Sequence, residues 1–177
     1  MTRVPYAADG WGVGELWLEG TRLVWHELPR RERNPHPGWG SDPPPSQSTL
    51  PAKPSQRCDG TVPEVEQLVH RLSAYFRGER VSFDDVKVDD EGWTPFQNDV
   101  ASALRSVPYG EVVSYSDLAR LAGYPRAQRA AGTFCARNRF PLVLPCHRVV
   151  GATGVGSYGS LGVGYKRRLL ALEGVAV

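Results

Sequence analysis

The sequence predicts an α+β protein, because strand-like alternation and helical periodicity occupy different parts of the chain. Residues 13–28 alternate apolar and polar side chains on either side of Glu19-Gly20, a pattern typical of a β-hairpin. The hairpin residues available for burial are Leu16, Leu18, Leu23 and Trp25. From residue 92 onwards, helix-capping signals and helical spacing dominate instead. We therefore expect two lobes, residues 1–91 and residues 92–177, in a chain long enough for two small domains.

The composition changes abruptly after the hairpin. Nine of the 15 prolines lie within residues 29–63, with serine, glycine and few large aliphatic residues. Such a segment is typical of an extended or mobile loop, here at about residues 30–60. Cys58 lies inside this loop, so we expect it to take no part in function.

The remainder of the first lobe predicts a helix and one further strand. Thr61-Val62-Pro63-Glu64 is a capping box with proline near the first turn, and Gly78 ends the helix. Its apolar residues follow helical spacing: Val65, Leu68, Val69, Leu72, Tyr75 and Phe76. Val81, Phe83, Val86 and Val88 suggest a strand. The first lobe is thus predicted to be an α/β unit, an antiparallel sheet with a helix.

The second lobe carries a helix-turn-helix pattern. A capping box at Thr94-Pro95-Phe96-Gln97 opens an amphipathic helix, and residues 116–122 predict a short helix that ends at Gly123. Tyr124-Pro125 then turns the chain, and residues 126–137 predict a basic second helix. In that helix we expect Ala127, Ala130, Ala131 and Phe134 to face the core, and Arg126, Arg129 and Arg137 to project outward. Many helical hairpins share this pattern, so it does not by itself establish DNA binding.

The net charge of +2 hides an asymmetry between the two parts of the chain. Residues 1–100 contain 11 Lys/Arg against 16 Asp/Glu, whereas residues 101–177 contain 10 against three. The resulting balance of +7 suits a phosphate backbone, and nine of those cations are arginines, which bind phosphate in a fork. A basic face that only maintains solubility is the alternative.

The cysteines and the distribution of apolar residues indicate the cellular compartment of the protein. Three widely spaced cysteines, Cys58, Cys135 and Cys146, argue against a disulfide framework and favour a reducing compartment. The sequence has no apolar run of membrane-spanning length and no apolar signal core near its start. We expect a cytoplasmic protein, associated with the nucleoid in a prokaryote, with no membrane partner.

The run Pro145-Cys146-His147-Arg148-Val149 places a thiol beside an imidazole. A thiol reacts as its thiolate, which a histidine base or a nearby cation favours. An isolated cysteine is more often a small buried apolar residue. Three interpretations remain open on these residues: a nucleophile that accepts a group, the nucleophile of a cysteine hydrolase, and a DNA-binding regulator whose cysteine is idle. A zinc site is least favoured, because no Cys or His residues pair at ligand spacing.

Further segments occur in a fixed order around that run. They are Thr94-Pro95-Phe96-Gln97, Pro108-Tyr109-Gly110-Glu111-Val112-Val113-Ser114-Tyr115, Ala130-Ala131-Gly132, Asn138 and Leu169-Leu170-Ala171-Leu172-Glu173-Gly174. Together they resemble the alkylguanine-DNA alkyltransferases, a family of direct-reversal DNA repair proteins. The resemblance covers roughly residues 92–177. It implies a ribonuclease-H-like first lobe and a winged-helix-like second lobe.

The resemblance implies a chemistry for the cysteine. Cys146 would irreversibly accept the alkyl group of 6-O-alkylguanine in DNA, in a single turnover, without cofactor or metal. His147 would deprotonate Cys146 through a water, and Glu173 would orient and stabilise the imidazole. Asn138 would bind backbone groups around the active-site turn, although an asparagine here could also simply cap the preceding helix.

It also implies contacts to the substrate and to duplex DNA, which a monomer would bind. Tyr115 would donate a hydrogen bond to the guanine ring, and Ser160 would contact the substrate oxygen. Val149 and Tyr158 complete the expected substrate-binding residues. Arg129 would fill the space left by a flipped nucleotide. The remaining expected DNA-binding residues, Arg126, Ala130 and Gly132, would approach the minor groove.

The glycine-rich loop at residues 151–164 departs from the family pattern. Tyr158 falls one position early, and Gly159 occupies the place expected for the tyrosine. Because glycine widens and loosens a loop, we expect a pocket that tolerates groups larger than methyl, unless Tyr158 moves into the vacancy. A phosphate-binding loop is disfavoured, since no Lys-Ser/Thr pair follows.

Overall fold

The computed structural model describes residues 1–31 and 63–176 of the chain. Within these residues, three strands form one antiparallel sheet in the order β1-β2-β3, and five α-helices follow. The strands are β1 (Thr2–Ala8), β2 (Gly12–Glu19) and β3 (Arg22–Arg30). The helices are α1 (Pro63–Phe76), α2 (Pro95–Arg105), α3 (Tyr115–Leu121), α4 (Gln128–Ala136) and α5 (Gly162–Leu172). A short parallel pair, β4 (Val113–Ser114) with β5 (Val149–Val150), joins the entry of α3 to the residues after Cys146. No helix in this part of the chain is both long and apolar enough to cross a membrane.

The predicted hairpin is confirmed as β2 and β3. Leu18 pairs with Leu23 across a turn at which Gly20 adopts a φ of +59°, where glycine avoids a steric penalty. The four residues expected to be buried are all buried: Leu16, Leu18, Leu23 and Trp25. The strand β1, which the alternation does not predict, pairs with the other edge of β2. Its Pro5 is tolerated there because an edge strand leaves some backbone groups unpaired.

Helix α1 packs against the sheet through the predicted stripe. Five of its six predicted apolar residues are buried and Val69 is half-buried. The chain leaves the helix at Gly78, which has a φ of +89°. Thr61 and Val62 of the predicted capping box lie outside the described residues, as does the Pro-rich segment from residue 32, including Cys58.

The strand predicted from Val81, Phe83, Val86 and Val88 is wrong. Val81, Phe83 and Val86 lie in irregular chain around a turn at Asp84 and Asp85, and Val88 makes only an isolated bridge with Leu23. The guanidinium of Arg105 on α2 donates to the carbonyl oxygens of Phe83 and Val86 at 3.0 and 2.9 Å. Because a side chain satisfies these carbonyls, the segment packs as a loop while Phe83 and Val86 stay buried.

The helix-turn-helix pattern is confirmed as α3 and α4. The capping box of Thr94 and Gln97 opens α2, and a second capping box, Ser114 with Asp117, opens α3. Gly123 has a φ of +87° in the turn that follows α3.

Helix α4 is shorter than predicted. It begins at Gln128 because the preceding residues form a turn in which the Ala127 amide donates to the Tyr124 carbonyl. Ala131 and Phe134 are buried as expected, and Ala127 is half-buried. The placement of Ala130 in the core is wrong, because that residue lies to one side of the buried stripe and is exposed.

His26 connects the sheet to the segment that precedes Cys146. Its Nδ1 lies 2.7 Å from the Pro141 carbonyl and its Nε2 lies 2.7 Å from the Tyr6 hydroxyl. A carbonyl only accepts, so Nδ1 carries the hydrogen and Nε2 accepts from Tyr6. The Tyr6 ring crosses β2 at Gly14, where a Cβ would lie 2.5 Å from the ring. Burial lowers the pKa of His26 from 6.5 to about 4, so the ring is neutral near pH 7.

We expect His26 to make stability fall in mild acid. The unfolded chain binds a proton at His26 near pH 6.5, whereas the folded chain resists it until about pH 4. Stability should therefore be lost as pH falls between these values, by an amount of the order of 3 kcal/mol. His26→Asn should be less stable at pH 7 but show a flatter dependence of Tm on pH over this range. His70→Asn, which removes an exposed histidine of α1, should keep the wild-type slope. A parallel slope in His26→Asn would contradict this assignment.

Candidate active site

Cys146 begins a one-turn 3-10 helix, Cys146–Arg148, directly after Pro145. The cysteine is only 4% exposed. The Nδ2 of Asn138 donates to the Leu144 carbonyl at 2.8 Å and to the Cys146 sulfur at 3.1 Å. The Oδ1 of the same amide accepts from the Phe140 backbone at 2.9 Å. A single buried side chain thus fixes both the turn and the sulfur.

His147 pairs with Glu173, which lies immediately after α5. The Nε2 of the fully buried imidazole lies 2.8 Å from Glu173 Oε1. Since an ionised carboxylate only accepts, Nε2 carries the hydrogen and Nδ1 keeps its lone pair. Within the described residues Nδ1 has no hydrogen-bond partner. Nδ1 can therefore accept a proton without first breaking a hydrogen bond to another group of the described chain.

The Glu173 carboxylate is held by donors from several elements. Arg148 Nε donates to Oε2 at 2.9 Å, the Gly110 amide donates to the same oxygen at 3.1 Å, and the Tyr75 hydroxyl donates to Oε1 at 2.7 Å. Burial alone would raise the pKa of Glu173, but the hydrogen bonds from His147 and Arg148 and the charge of Arg148 hold it well below its usual range. Burial lowers the pKa of His147, and the carboxylate opposes this shift only in part.

The thiol of Cys146 is protonated at rest. Burial raises its pKa, while the Asn138 hydrogen bond and the charge of Lys166 offset this increase only in part. Lys166 is fully buried on α5 and donates to the carbonyls of Val149 and Val155 at 2.6 and 2.7 Å. Since the thiol does not ionise spontaneously near pH 7, a reaction at this sulfur requires a base.

A narrow cleft of about 30 Å³ opens onto the thiol. Its lining residues are Tyr115, Cys135, Ala136, Cys146, Ser157, Tyr158 and Gly159. Tyr158 is only 5% exposed, and its interaction with Cys146 favours a lower pKa of the thiol, against the larger effect of burial. Tyr158 and Gly159 both line this cleft, and its small volume is what we expect if Tyr158 is turned into the pocket. A larger groove of about 710 Å³, between α2 and α4, does not include the thiol.

Tyr115 forms a second wall of the cleft from the first turn of α3. Its half-buried ring lies between Gly132 and Gly156, where added Cβ atoms would come within 3.7 and 3.8 Å of it. Burial raises the pKa of Tyr115 to about 12, so the phenol remains a hydrogen-bond donor at neutral pH.

The structure brings most of the predicted site residues together. Cys146, His147, Glu173, Asn138, Tyr115 and Tyr158 share one continuous site. Two expected substrate-binding residues lie elsewhere. Ser160 is exposed and is not among the residues that line the cleft, where Ser157 lies instead. The side chain of Val149 is fully buried in the core, and its carbonyl binds Lys166.

The expected DNA-binding residues lie on or next to α4. Arg129 and Ala130 are exposed on the helix, and Arg126 is exposed in the turn before it. Gly132 is half-buried against Tyr115, so it links this helix to the cleft.

Two polar residues of the site have no clear signal in the sequence. Tyr75 occupies a position in the apolar stripe of α1, and that pattern marks it as core. Lys166 stands beside Arg167 and Arg168, a run that favours a solvated basic surface. Arg148 adjoins the predicted pair, but its contact with Glu173 joins residues 25 positions apart. Within residues 1–31 and 63–176, no cluster of three or more His, Cys, Asp or Glu residues could hold a metal ion.

The chain is similar in sequence to known proteins. The family model described as the DNA-binding domain of 6-O-methylguanine DNA methyltransferase matches residues 95–175. A methylated-DNA–protein-cysteine methyltransferase of Methanopyrus kandleri is 41% identical over 128 residues, which are 71% of this chain and 92% of that protein. The chain belongs to the methylated-DNA–protein-cysteine methyltransferase family.

Other members of this methyltransferase family match over a smaller share of their length. The protein of Methanosarcina acetivorans is 46% identical over 104 residues, and the match spans 59% of this chain but only 65% of the relative. Among solved structures, the Mycobacterium tuberculosis OGT in complex with DNA is similar, with a TM-score of 0.74 and 31% identity over 97% of this chain and 92% of that chain. The mixed fold, with a small antiparallel sheet and helices, is therefore that of this methyltransferase family.

Proposed function

We propose that this protein repairs DNA directly, by moving the alkyl group of 6-O-alkylguanine irreversibly to Cys146. The observation that carries the proposal is the sulfur held by Asn138 beside the buried His147–Glu173 pair, at the end of a cleft that admits only a small group. Family membership supports it, because the relatives are named methylated-DNA–protein-cysteine methyltransferases. Residues 92–177 would hold the chemistry and the DNA contacts, and residues 1–91 would form a separate α/β lobe.

The proposed reaction is a displacement at carbon. Nδ1 of His147 would take the thiol proton of Cys146 through a water, and the raised pKa of the thiol is the reason that a base is needed. The sulfur electron pair would form the S–C bond while the C–O bond breaks and its pair goes to the guanine. Tyr115 would donate a hydrogen bond to the departing base, which regains one proton as guanine. The thioether has no good leaving group, so the protein would act once.

Access to the guanine would require base flipping, since the reacting carbon is unreachable within a stacked duplex. Exposed Arg129 on α4 is the proposed residue for the space that the nucleotide leaves. Arg126, exposed Ala130 and Gly132 would lie along the minor groove, where small residues permit close approach. The balance of +7 in residues 101–177 supports binding to the phosphate backbone.

The finer features of the proposal follow from the same family. The first lobe would be ribonuclease-H-like, and the second would be winged-helix-like around α3 and α4. Double-stranded DNA with an alkylated guanine would be the partner, and the site of action would be the cytoplasm or nucleoid. A cysteine hydrolase would use the same Cys-His-Glu residues but would turn over repeatedly. A regulator with an idle cysteine would bind DNA and accept nothing.

The decisive measurement is the intact mass of the protein after exposure to an oligonucleotide that contains 6-O-methylguanine. We expect one methyl group per protein, mapped to Cys146, with no second turnover. Cys146→Ser should bind the same DNA and gain no mass, whereas Cys135→Ser should still gain one methyl. Repeated turnover would favour a hydrolase, and methyl groups on Cys58 or Cys135 would refute the assignment of the acceptor.

The proposed flipping role of Arg129 predicts a loss that depends on the substrate. Arg129→Ala should slow repair in duplex DNA by about tenfold or more, because the extruded state loses the residue that replaces the base. The same variant should react normally with free 6-O-benzylguanine or 6-O-methylguanine base. Arg77→Ala, which removes an exposed arginine after α1, should change neither rate. Equal losses of Arg129→Ala on both substrates would indicate a role in folding instead.

The narrow cleft predicts selection for small alkyl groups. The rate with 6-O-benzylguanine should be far below that with 6-O-methylguanine, because the cleft beside the thiol is only about 30 Å³ and Tyr158 forms part of its wall. Tyr158→Ala should raise the benzyl-to-methyl rate ratio by about tenfold or more, since it removes an aromatic ring from the wall. Ser160→Ala should leave this ratio near the wild-type value, because Ser160 lies outside the cleft lining. A wild-type protein that reacts equally fast with both substrates would contradict this account of the cleft.

A further inference from the structure

Tyr75 extends from α1 into the hydrogen bonds around His147. Its ring is 1% exposed and packs edge-on against neighbouring aromatic rings, as expected of a core residue. Its hydroxyl donates to Glu173 Oε1 at 2.7 Å and lies 3.3 Å from His147 Nε2. Packing alone would not need this hydroxyl, because a phenylalanine would fill nearly the same volume.

The positions of the hydrogens follow from the carboxylate. Glu173 is ionised and only accepts, so Nε2 of His147 must carry the hydrogen across their 2.8 Å contact. Tyr75 gives its own hydrogen to the same carboxylate oxygen. At 3.3 Å the Tyr75 oxygen therefore turns a lone pair toward Nε2–H. The Nε2 hydrogen thus has two acceptors, Glu173 Oε1 and the Tyr75 oxygen. If the hydrogen were on Nδ1 instead, neither acceptor would receive a hydrogen bond from the imidazole.

We propose that Tyr75 is a positioning residue that keeps the hydrogen of neutral His147 on Nε2, so that Nδ1 is free to receive the Cys146 proton. The consequence for reactivity rests on the proposed function, whereas the choice of tautomer does not. Either ring nitrogen of neutral histidine can carry the hydrogen, and the bonds made by the other groups decide between them. Through Tyr75, α1 would act on the chemistry of a turn more than 70 residues further along the chain.

The other polar groups around His147 and Glu173 cannot take the role of Tyr75. Arg148 and the Gly110 amide bind the carboxylate, but both are donors and offer no lone pair to Nε2. Lys166 is also a donor, and it binds the carbonyls of Val149 and Val155. Among these groups of the described chain, Tyr75 is thus the one that can both donate to the carboxylate and accept from the imidazole.

The test compares wild type with Tyr75→Phe and with a matched control, Tyr165→Phe. Tyr165 donates its hydroxyl hydrogen to the Pro29 carbonyl at 2.9 Å, so the control also removes one tyrosine hydroxyl and its hydrogen bond, but away from Glu173 and His147. Nitrogen-15 NMR of labelled histidine reports which ring nitrogen of His147 carries the hydrogen. Methyl transfer is measured in parallel on the same three proteins, with a 6-O-methylguanine oligonucleotide.

We expect the wild type and Tyr165→Phe to show the hydrogen on Nε2 and equal rates. Tyr75→Phe should show partial occupancy of Nδ1 and transfer methyl about tenfold more slowly. A folded Tyr75→Phe with wild-type tautomer would overturn the proposal, whatever its rate. A wild-type spectrum with the hydrogen on Nδ1 would overturn it even if Tyr75→Phe does not fold. If the wild type accepts no methyl but its tautomer depends on Tyr75, the proposed function fails and the positioning role stands.

Discussion

A buried carboxylate organises the site. Glu173 is 6% exposed, and a charge removed from water is tolerated only when it is paired and hydrogen-bonded. Its partners are Tyr75 in α1, Gly110 in the loop after α2, and His147 and Arg148 in the turn. These elements must converge for the carboxylate to be satisfied. The geometry around Cys146 therefore depends on the packing of α1 and of the loop after α2 as well as on the local motif.

Helix α5 supplies charges of both signs to the turn. Lys166 and Glu173 are seven residues apart, a spacing that places two residues on the same side of a helix. The ammonium of Lys166 binds the backbone after the turn, and the carboxylate binds the imidazole and guanidinium within it. The turn is thus held between an anion and a cation from one rigid element. The charge of Lys166 favours the thiolate of Cys146, but burial outweighs it, so the thiol rests in its neutral form.

Features of the fold that depend on a local pattern could be predicted from the sequence, whereas features that depend on contacts between distant residues could not. The hairpin, the capping box at Thr94 and the two helices around Gly123 follow from alternation, capping and turn residues. The strand expected at residues 81–88 failed because Arg105, some twenty residues later, binds its carbonyls. No local signal reports such a side chain.

The candidate site shows the same division. The adjacency of Cys146 and His147 is visible in the sequence, and family resemblance extends it to Asn138 and Glu173. The roles of Tyr75 and Lys166 in the site cannot be predicted from the sequence. Tyr75 fits the apolar stripe of an amphipathic helix, and Lys166 fits a basic run on the surface. Loop geometry is not visible in the sequence either: the family resemblance implies a substrate contact for Ser160, whereas Ser157 and Tyr158 line the cleft.

The lack of a side chain at Gly14 affects contacts well beyond β2. The Tyr6 ring occupies the space where a Cβ would lie, and this placement lets its hydroxyl reach His26, which holds the Pro141 carbonyl. Any larger residue at position 14 would displace the ring and release the imidazole. Positions 6, 14 and 26 should therefore evolve as a dependent set in which the effect of one replacement is decided by the residues at the others. A substitution in the second strand would then be compensated more readily at Tyr6 than at any neighbour of Gly14 in the sequence.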